Sequence, residues 1–201
     1  MNLEQHIFKS NSFKELIEEA VIFFFATPIE HLPPDSRFIG TGVYAIYYQG
    51  AFPAYSAIYQ SNPNLPIYVG KAVPTGWRQG RAKRRVNDFA LYRRLREHSR
   101  SIDSSSNLEL SDFSCRFMIL VGDEADLIVI VEAALIRKYN PLWNSYIDGF
   151  GNHDPGSGRY NQAKSEWDVL HPGRGWAEKL RGNAPTTAEV TEKVKRYRIN
   201  G

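Results

Sequence analysis

A chain of 201 residues is long enough for one sizeable hydrophobic core, and 42% hydrophobic with 23% charged residues excludes a disordered or fibrous polymer. The formal net charge of +3 is too small to name a partner, and the lone Cys115, set in an apolar run, excludes an internal disulfide and reads as a small core residue. A cytoplasmic setting without membrane involvement is expected, because the early apolar run Val21 to Ala26 is too short to span a bilayer and follows four glutamates where an export signal carries lysines.

Ser12 followed by Glu15 has the capping-box pattern. Phe13, Leu16, Ile17, Ala20, Val21 and Phe24 then recur at helical spacing, which predicts a first helix stopped by Pro28. After the turn at Pro33 and Pro34, Gly42 to Tyr48 (GVYAIYY) is rich in aromatic and β-branched residues and predicts a strand, and Pro66 to Gly70 predicts a second. Between them, Gln49 to Pro66 lacks clear periodicity and predicts a long loop.

Residues 71 to 100 hold ten Lys or Arg against two acids, a net +8, so the rest of the chain sums to −5. Such concentration is the footprint of a phosphate-backbone contact, because each neutralised phosphate releases condensed counterions; a solvated helix face carries the same pattern. From about Arg85 to Arg100 the stretch predicts a helix, on which Arg94 and His98 lie four apart on one face. That pair suits phosphate chemistry: the Arg holds the phosphate and stabilises developing charge, and the His accepts or relays a proton. A His near a helix C-terminus also serves simply as a partner of the helix dipole.

Phe113 to Val121 predicts a strand, and Ala125 to Tyr139 a helix ended by Pro141. Within Leu127 to Ile136 Glu132 is the only polar side chain, which predicts a helix buried all round with one carboxylate inside. A buried carboxylate must be paired, protonated or bound to a cation, so Glu132 is a candidate ligand for a hard metal; a Glu on one solvated edge of the helix fits the pattern equally. Gly149 to Gly158 predicts a flexible loop, and the Thr186 and Glu189 pair starts a last helix. Asn152, His153 and Arg159, then Asp168, His171, Arg174 and Trp176, are candidate base readers. Arg suits guanine O6 and N7, Asn suits adenine, and Asp accepts from cytosine; a loop that braces a dimer is the other reading.

The tripeptides Gly42-Val43-Tyr44 and Tyr68-Val69-Gly70 are followed in order by Arg94 and His98, by Glu132, and by Asn144 in the Pro141-Leu142-Trp143-Asn144 turn. This set resembles the GIY-YIG nuclease superfamily. VEAALI around Glu132, PLWN, and GFGNH from Gly149 to His153 resemble its type II restriction endonuclease branch, in which there are enzymes that cut CCGCGG. The resemblance covers roughly residues 37 to 155, and the 23 residues between Tyr44 and Tyr68 exceed the spacing of compact members.

The resemblance implies an α+β fold, a small mostly antiparallel sheet flanked by helices, in a single domain over residues 1–201. Residues 1–36 would be an N-terminal helical extension, and residues 156–201 a C-terminal extension for DNA contact and dimerisation. It implies hydrolysis of phosphodiester bonds in double-stranded DNA at a short palindrome, CCGCGG being the suggested target, by a homodimer paired in its restriction-modification system with a cognate DNA methyltransferase. One divalent ion, Mg²⁺ with Mn²⁺ as a substitute, would be held by Glu132. Tyr44 would be the general base beside the attacking water, Tyr68 would position phosphate or water, and His98 would help strip the proton. Arg94 would hold the phosphate, and Asn144 would orient the phosphate or Glu132. A free tyrosine has a pKa of about 10, so Tyr44 serves as base near neutrality only where Arg94, Lys71 or the metal favours its phenolate. Lys71, Arg78, Arg81, Lys83, Arg84 and Arg85 are candidate phosphate contacts, and Asn152, His153, Arg159 and Arg174 candidate DNA contacts. Two rivals are a structure-specific repair nuclease, which typically sits beside helical-hairpin or zinc domains, and a non-catalytic DNA-binding protein, expected to lack Tyr44, Arg94 or Glu132.

Overall fold

In the computed structural model, which describes residues 1–10, 12–74, 76–77 and 88–197, four strands form one antiparallel sheet. They are β1 (Glu30–His31), β2 (Gly42–Tyr48), β3 (Tyr68–Ala72) and β4 (Phe113–Ile119), in the order β1-β4-β2-β3. Arg78, Arg81, Lys83, Arg84 and Arg85 lie outside the described residues. The helices are α1 (Phe13–Ala26), α2 (Ser56–Ser61), α3 (Ala90–Asp103), α4 (Ile128–Tyr139), α5 (Leu142–Ser145), α6 (Glu166–Leu170) and α7 (Thr187–Lys195). The fold is therefore α+β, a small antiparallel sheet flanked by helices.

All seven residues of β2 are buried, which is why it reads as a nearly continuous apolar run. Successive side chains alternate between two cores. Tyr44, Ile46 and Tyr48 enter the one that receives Leu91, Leu95 and Ile102 of α3, while Val43, Ala45 and Tyr47 enter the one that receives α1 and α4. The C-terminal segment contributes Trp167, Leu170, Val190, Val194 and Tyr197 to the first of these cores. Arg116 of β4 donates to the carbonyls of Phe25 and Thr27 and so ties the end of α1 to the sheet. Among the described residues no helix is long and apolar enough to cross a membrane.

Several local expectations shift. The Ser12 side chain makes no capping hydrogen bond, since that residue already sits in a helical conformation; the capping box of Thr186 and Glu189 forms as predicted. The stretch predicted as a long loop contains α2, whose turn places Tyr55 and Tyr59 in the core. β3 begins at Tyr68 rather than Pro66, and α3 at Ala90 rather than Arg85. A 3-10 turn, Gly122–Leu127, precedes α4, which ends at Asn140 in a left-handed conformation, φ 44°, just before Pro141. Nor is α4 buried all round: it buries the stripe Ile128, Val131 and Leu135, while Val129 is 41% exposed. The helix packs on the sheet and on α1 and leaves its outer side to solvent, so a run of apolar letters overstates its burial.

Candidate active site

Tyr44 and Gly70 are opposite partners in the β2–β3 ladder, and the tyrosine ring lies across the glycine. A Cβ on Gly70 would stand 2.4 Å from the Tyr44 hydroxyl, so close approach requires a glycine there. Gly42 answers to the same logic, because a Cβ there would stand 1.9 Å from the Met118 carbonyl oxygen on β4.

His98 lies on the buried face of α3, between Leu95 and Ile102, and its Nε2 is 2.6 Å from the Tyr44 hydroxyl. Burial holds the His98 imidazolium well below its ordinary range, and Arg94, His153 and Arg174 act in the same direction. Burial also raises Tyr44 well above the usual tyrosine range; nearby Tyr68 and Glu132 push the same way, and Arg94 opposes them. Both groups are thus neutral near pH 7, and in the His98 tautomer protonated on Nδ1 the Nε2 accepts from the tyrosine hydroxyl. Tyr68 is raised as well, chiefly by burial and against the pull of Arg94, and its ring meets His98 edge-on at 5.1 Å.

Arg94, one turn before His98, joins α3 to the loop that follows α5. Its Nη2 donates to the Gly151 carbonyl at 2.9 Å, and its Nη1 donates to Glu97 at 2.8 Å and lies 2.7 Å from His153 Nε2. The i, i+4 spacing thus brings Arg94 and His98 to one site, as the sequence predicts.

Glu132 approaches from the opposite face of the sheet. It is ion-paired with Lys71, which alternates away from Tyr68 and Gly70 along β3. β3 is an edge strand, and the Glu132 charge adds to the upward shift of both tyrosines. The Glu132 side chain is 15% exposed, so it is reachable from solvent. Among the described residues no three His, Cys, Asp or Glu side chains converge into a metal cluster. The donor set therefore fits a cation that takes one carboxylate and keeps waters or substrate oxygens in its other positions, the habit of Mg²⁺.

The remaining candidates take varied positions. Asn144 bonds both backbone groups of Val69: its Oδ1 accepts from the Val69 N–H at 2.7 Å and its Nδ2 donates to the Val69 carbonyl at 2.8 Å. It thereby closes part of the β3 edge. Asn152, His153 and Arg159 are exposed, beside an open polar cleft of about 760 Å³ that Asn144 and Trp176 also line. Arg174, a candidate base reader by sequence, is 4% exposed, and its donors go to Asp168 and to carbonyls of the Gly149 to Asn152 segment. It faces inward because those carbonyls and a carboxylate converge on it, so it is not presented to a DNA groove. Asp168 and His171, other candidate readers, are also buried, at 2% and 0% exposure.

Sequence reasoning missed Phe150, whose ring stacks on His98 at 4.6 Å and 17°. One aromatic between two glycines carries no periodic signal. It also missed that Gly151 supplies a carbonyl to Arg94.

Residues 36–198 match the family model described as the Eco29kI GIY-YIG domain. No curated protein matches the chain.

Proposed function

The chain belongs to the Eco29kI GIY-YIG domain family, a restriction-type nuclease family, and from that premise we propose that it is a type II restriction endonuclease. In this reading it uses one Mg²⁺ to hydrolyse double-stranded DNA at a short palindrome. The observation that carries the proposal is the 2.6 Å contact between Tyr44 and a neutral His98, with Arg94 one turn away and Glu132 at the margin of the same strand pair.

The Tyr44 hydroxyl, facing the attacking water, takes a proton from it as its own proton passes to His98 Nε2. The bond from water oxygen to phosphorus forms while one P–O bond to the DNA sugar breaks, and the departing sugar oxygen takes a proton from solvent. Tyr44 gains one proton as it loses another and so stays neutral, and the positive charge that appears on His98 is balanced by the negative charge that the attacking oxygen brings to the phosphate beside it. Arg94 exchanges its contacts with exposed Glu97 and His153 for the scissile phosphate, which its planar fork suits. Tyr68, on the adjacent strand, orients the phosphate or the water. Glu132 would hold the metal ion, and Lys71, its ion-pair partner here, would turn to a phosphate oxygen. Mg²⁺, or Mn²⁺ in its place, supplies positive charge to the scissile phosphate and the attacking water.

Incubation of purified protein with Mg²⁺ and plasmid DNA tests the reading. Discrete fragments whose ends map by run-off sequencing to one palindrome support it, with CCGCGG as the suggested target. Absence of cleavage, or cutting only at branched or flapped DNA, refutes it in favour of a binding protein or a repair nuclease.

A further inference from the structure

We propose that Arg174 is a positioning residue for hydrolysis: from the C-terminal segment it clamps the Gly149 to Asn152 loop, so that Phe150 and Gly151 form the wall that sets His98 and Arg94. The role rests on the nuclease reading above.

The clamp is built from one guanidinium. Its Nε donates to Asp168 Oδ1 at 2.7 Å, its Nη1 to the carbonyls of Phe150 at 3.0 Å and Asn152 at 3.3 Å, and its Nη2 to the Gly149 carbonyl at 2.9 Å. Its Cζ lies over two indoles, 4.5 Å from the ring centre of Trp167 and 4.7 Å from that of Trp176. The second Asp168 oxygen accepts from Ser165 Oγ at 2.7 Å, so the buried ion pair is hydrogen-bonded at both ends. Three carbonyls of four consecutive residues thus converge on a single cation, which fixes the loop's path.

Phe150 stacks on His98 and meets Tyr68 edge-on at 4.9 Å, and the next carbonyl, Gly151, accepts from Arg94. Arg174 therefore reaches the proton acceptor through Phe150, and the phosphate holder through Gly151, whose two neighbours Phe150 and Asn152 it holds. The titratable and charged groups facing His98 are Tyr44 and Tyr68 from the strands, Arg94 from its own helix, His153 from the loop and Arg174 itself. If the clamp opens, Phe150 leaves the imidazole and water reaches it, which removes the main obstacle to its protonation. Lysine cannot replace the fork, because an ammonium is a compact point charge without the planar donor array.

The test uses the full chain with Arg174→Lys. Two readouts are taken: single-turnover cleavage of plasmid DNA with Mg²⁺ at saturating enzyme, and the pH titration of the His98 ring by NMR, assigned against His98→Gln. The folded variant is expected to cleave at least about ten-fold more slowly, with His98 protonating about one pH unit higher than in wild type. A His98 titration that does not move in a folded variant overturns the proposal, whatever the rate does. Should Arg174→Lys fail to fold, Phe150→Leu carries the test, since it keeps the clamped carbonyls and removes the ring that lies on His98, along with its contacts to Tyr68, Trp143 and Trp167; an unmoved titration there overturns the proposal equally. The NMR readout needs no cleavage, so a wild-type protein that cuts no DNA refutes the nuclease reading and leaves this test standing.

Discussion

Tyr44 and His98 share one short contact, and burial opposes separate ionisation of either group. In the proposed mechanism the pair acts by passing a proton from Tyr44 to His98. Tyr44→Phe removes the proton path and keeps the ring, so single-turnover cleavage is expected to fall by about 10²- to 10⁴-fold with duplex affinity unchanged. Weaker binding at an unchanged rate would instead make Tyr44 structural. Glu132→Ala removes the proposed metal ligand and releases its ion-pair partner Lys71, and cleavage should drop by about 10³-fold or more while metal-free duplex binding persists. Turnover near wild type would sink the metal assignment. A second buried pair, Tyr55 and His171 at 2.7 Å, lies away from the cluster, and His171 Nδ1 is 2.9 Å from Asn107 Oδ1. Burial, with the Arg174 charge adding, holds His171 down to about 3. Its folded value lies below the unfolded value of about 6.5, so the unfolded chain takes up the proton first. The stability it contributes is present above that unfolded value and is lost as pH falls from about 6.5 toward the folded value. Urea midpoints should fall across this window less steeply in His171→Gln than in wild type, and equal slopes would contradict the assignment.

At the scale of elements, the edge strand β3 carries Tyr68 on one face and Lys71 on the other, so its placement sets both halves of the site. An edge strand leaves alternate backbone groups unpaired. Here Asn144 satisfies both groups of Val69, and the Trp143 N–H donates to the Ile67 carbonyl at 2.9 Å. Asn144→Ala deletes two hydrogen bonds and should lower stability by about 2 kcal/mol in urea unfolding, with a loss of cleavage alongside. Full stability with lost cleavage would place Asn144 on the phosphate or on Glu132 instead.

For the molecule as a whole, one chain with one Glu132 offers one hydrolytic site, whereas a double-strand break needs two. A twofold homodimer presents two sites to symmetric DNA, and palindromy follows from that symmetry. Light scattering with and without duplex checks this, and a monomer that only nicks contradicts it. The +8 stretch from residue 71 to 100 should act without regard to sequence. Changing Arg78, Arg81, Lys83, Arg84 or Arg85 to Ala should weaken binding to all duplexes alike and lower the salt slope by about one per lost phosphate contact. A changed preferred sequence would put the segment in a groove.

The features legible in the sequence are those set within a strand or a helical turn. They include the aromatic and branched run of β2, the Arg94 and His98 pair on α3, the lone carboxylate of α4, and the α7 capping box. Each depends on neighbours along the chain, so composition and spacing carry it. Tertiary structure alone decided that Lys71 finds Glu132, 61 positions away, that Asn144 finds Val69, 75 positions away, and that Phe150 covers His98. It also decided the direction of Arg174: a charged side chain goes inside only where enough partners converge to replace its water, and three loop carbonyls, Asp168 and two indoles meet there only once the chain has folded.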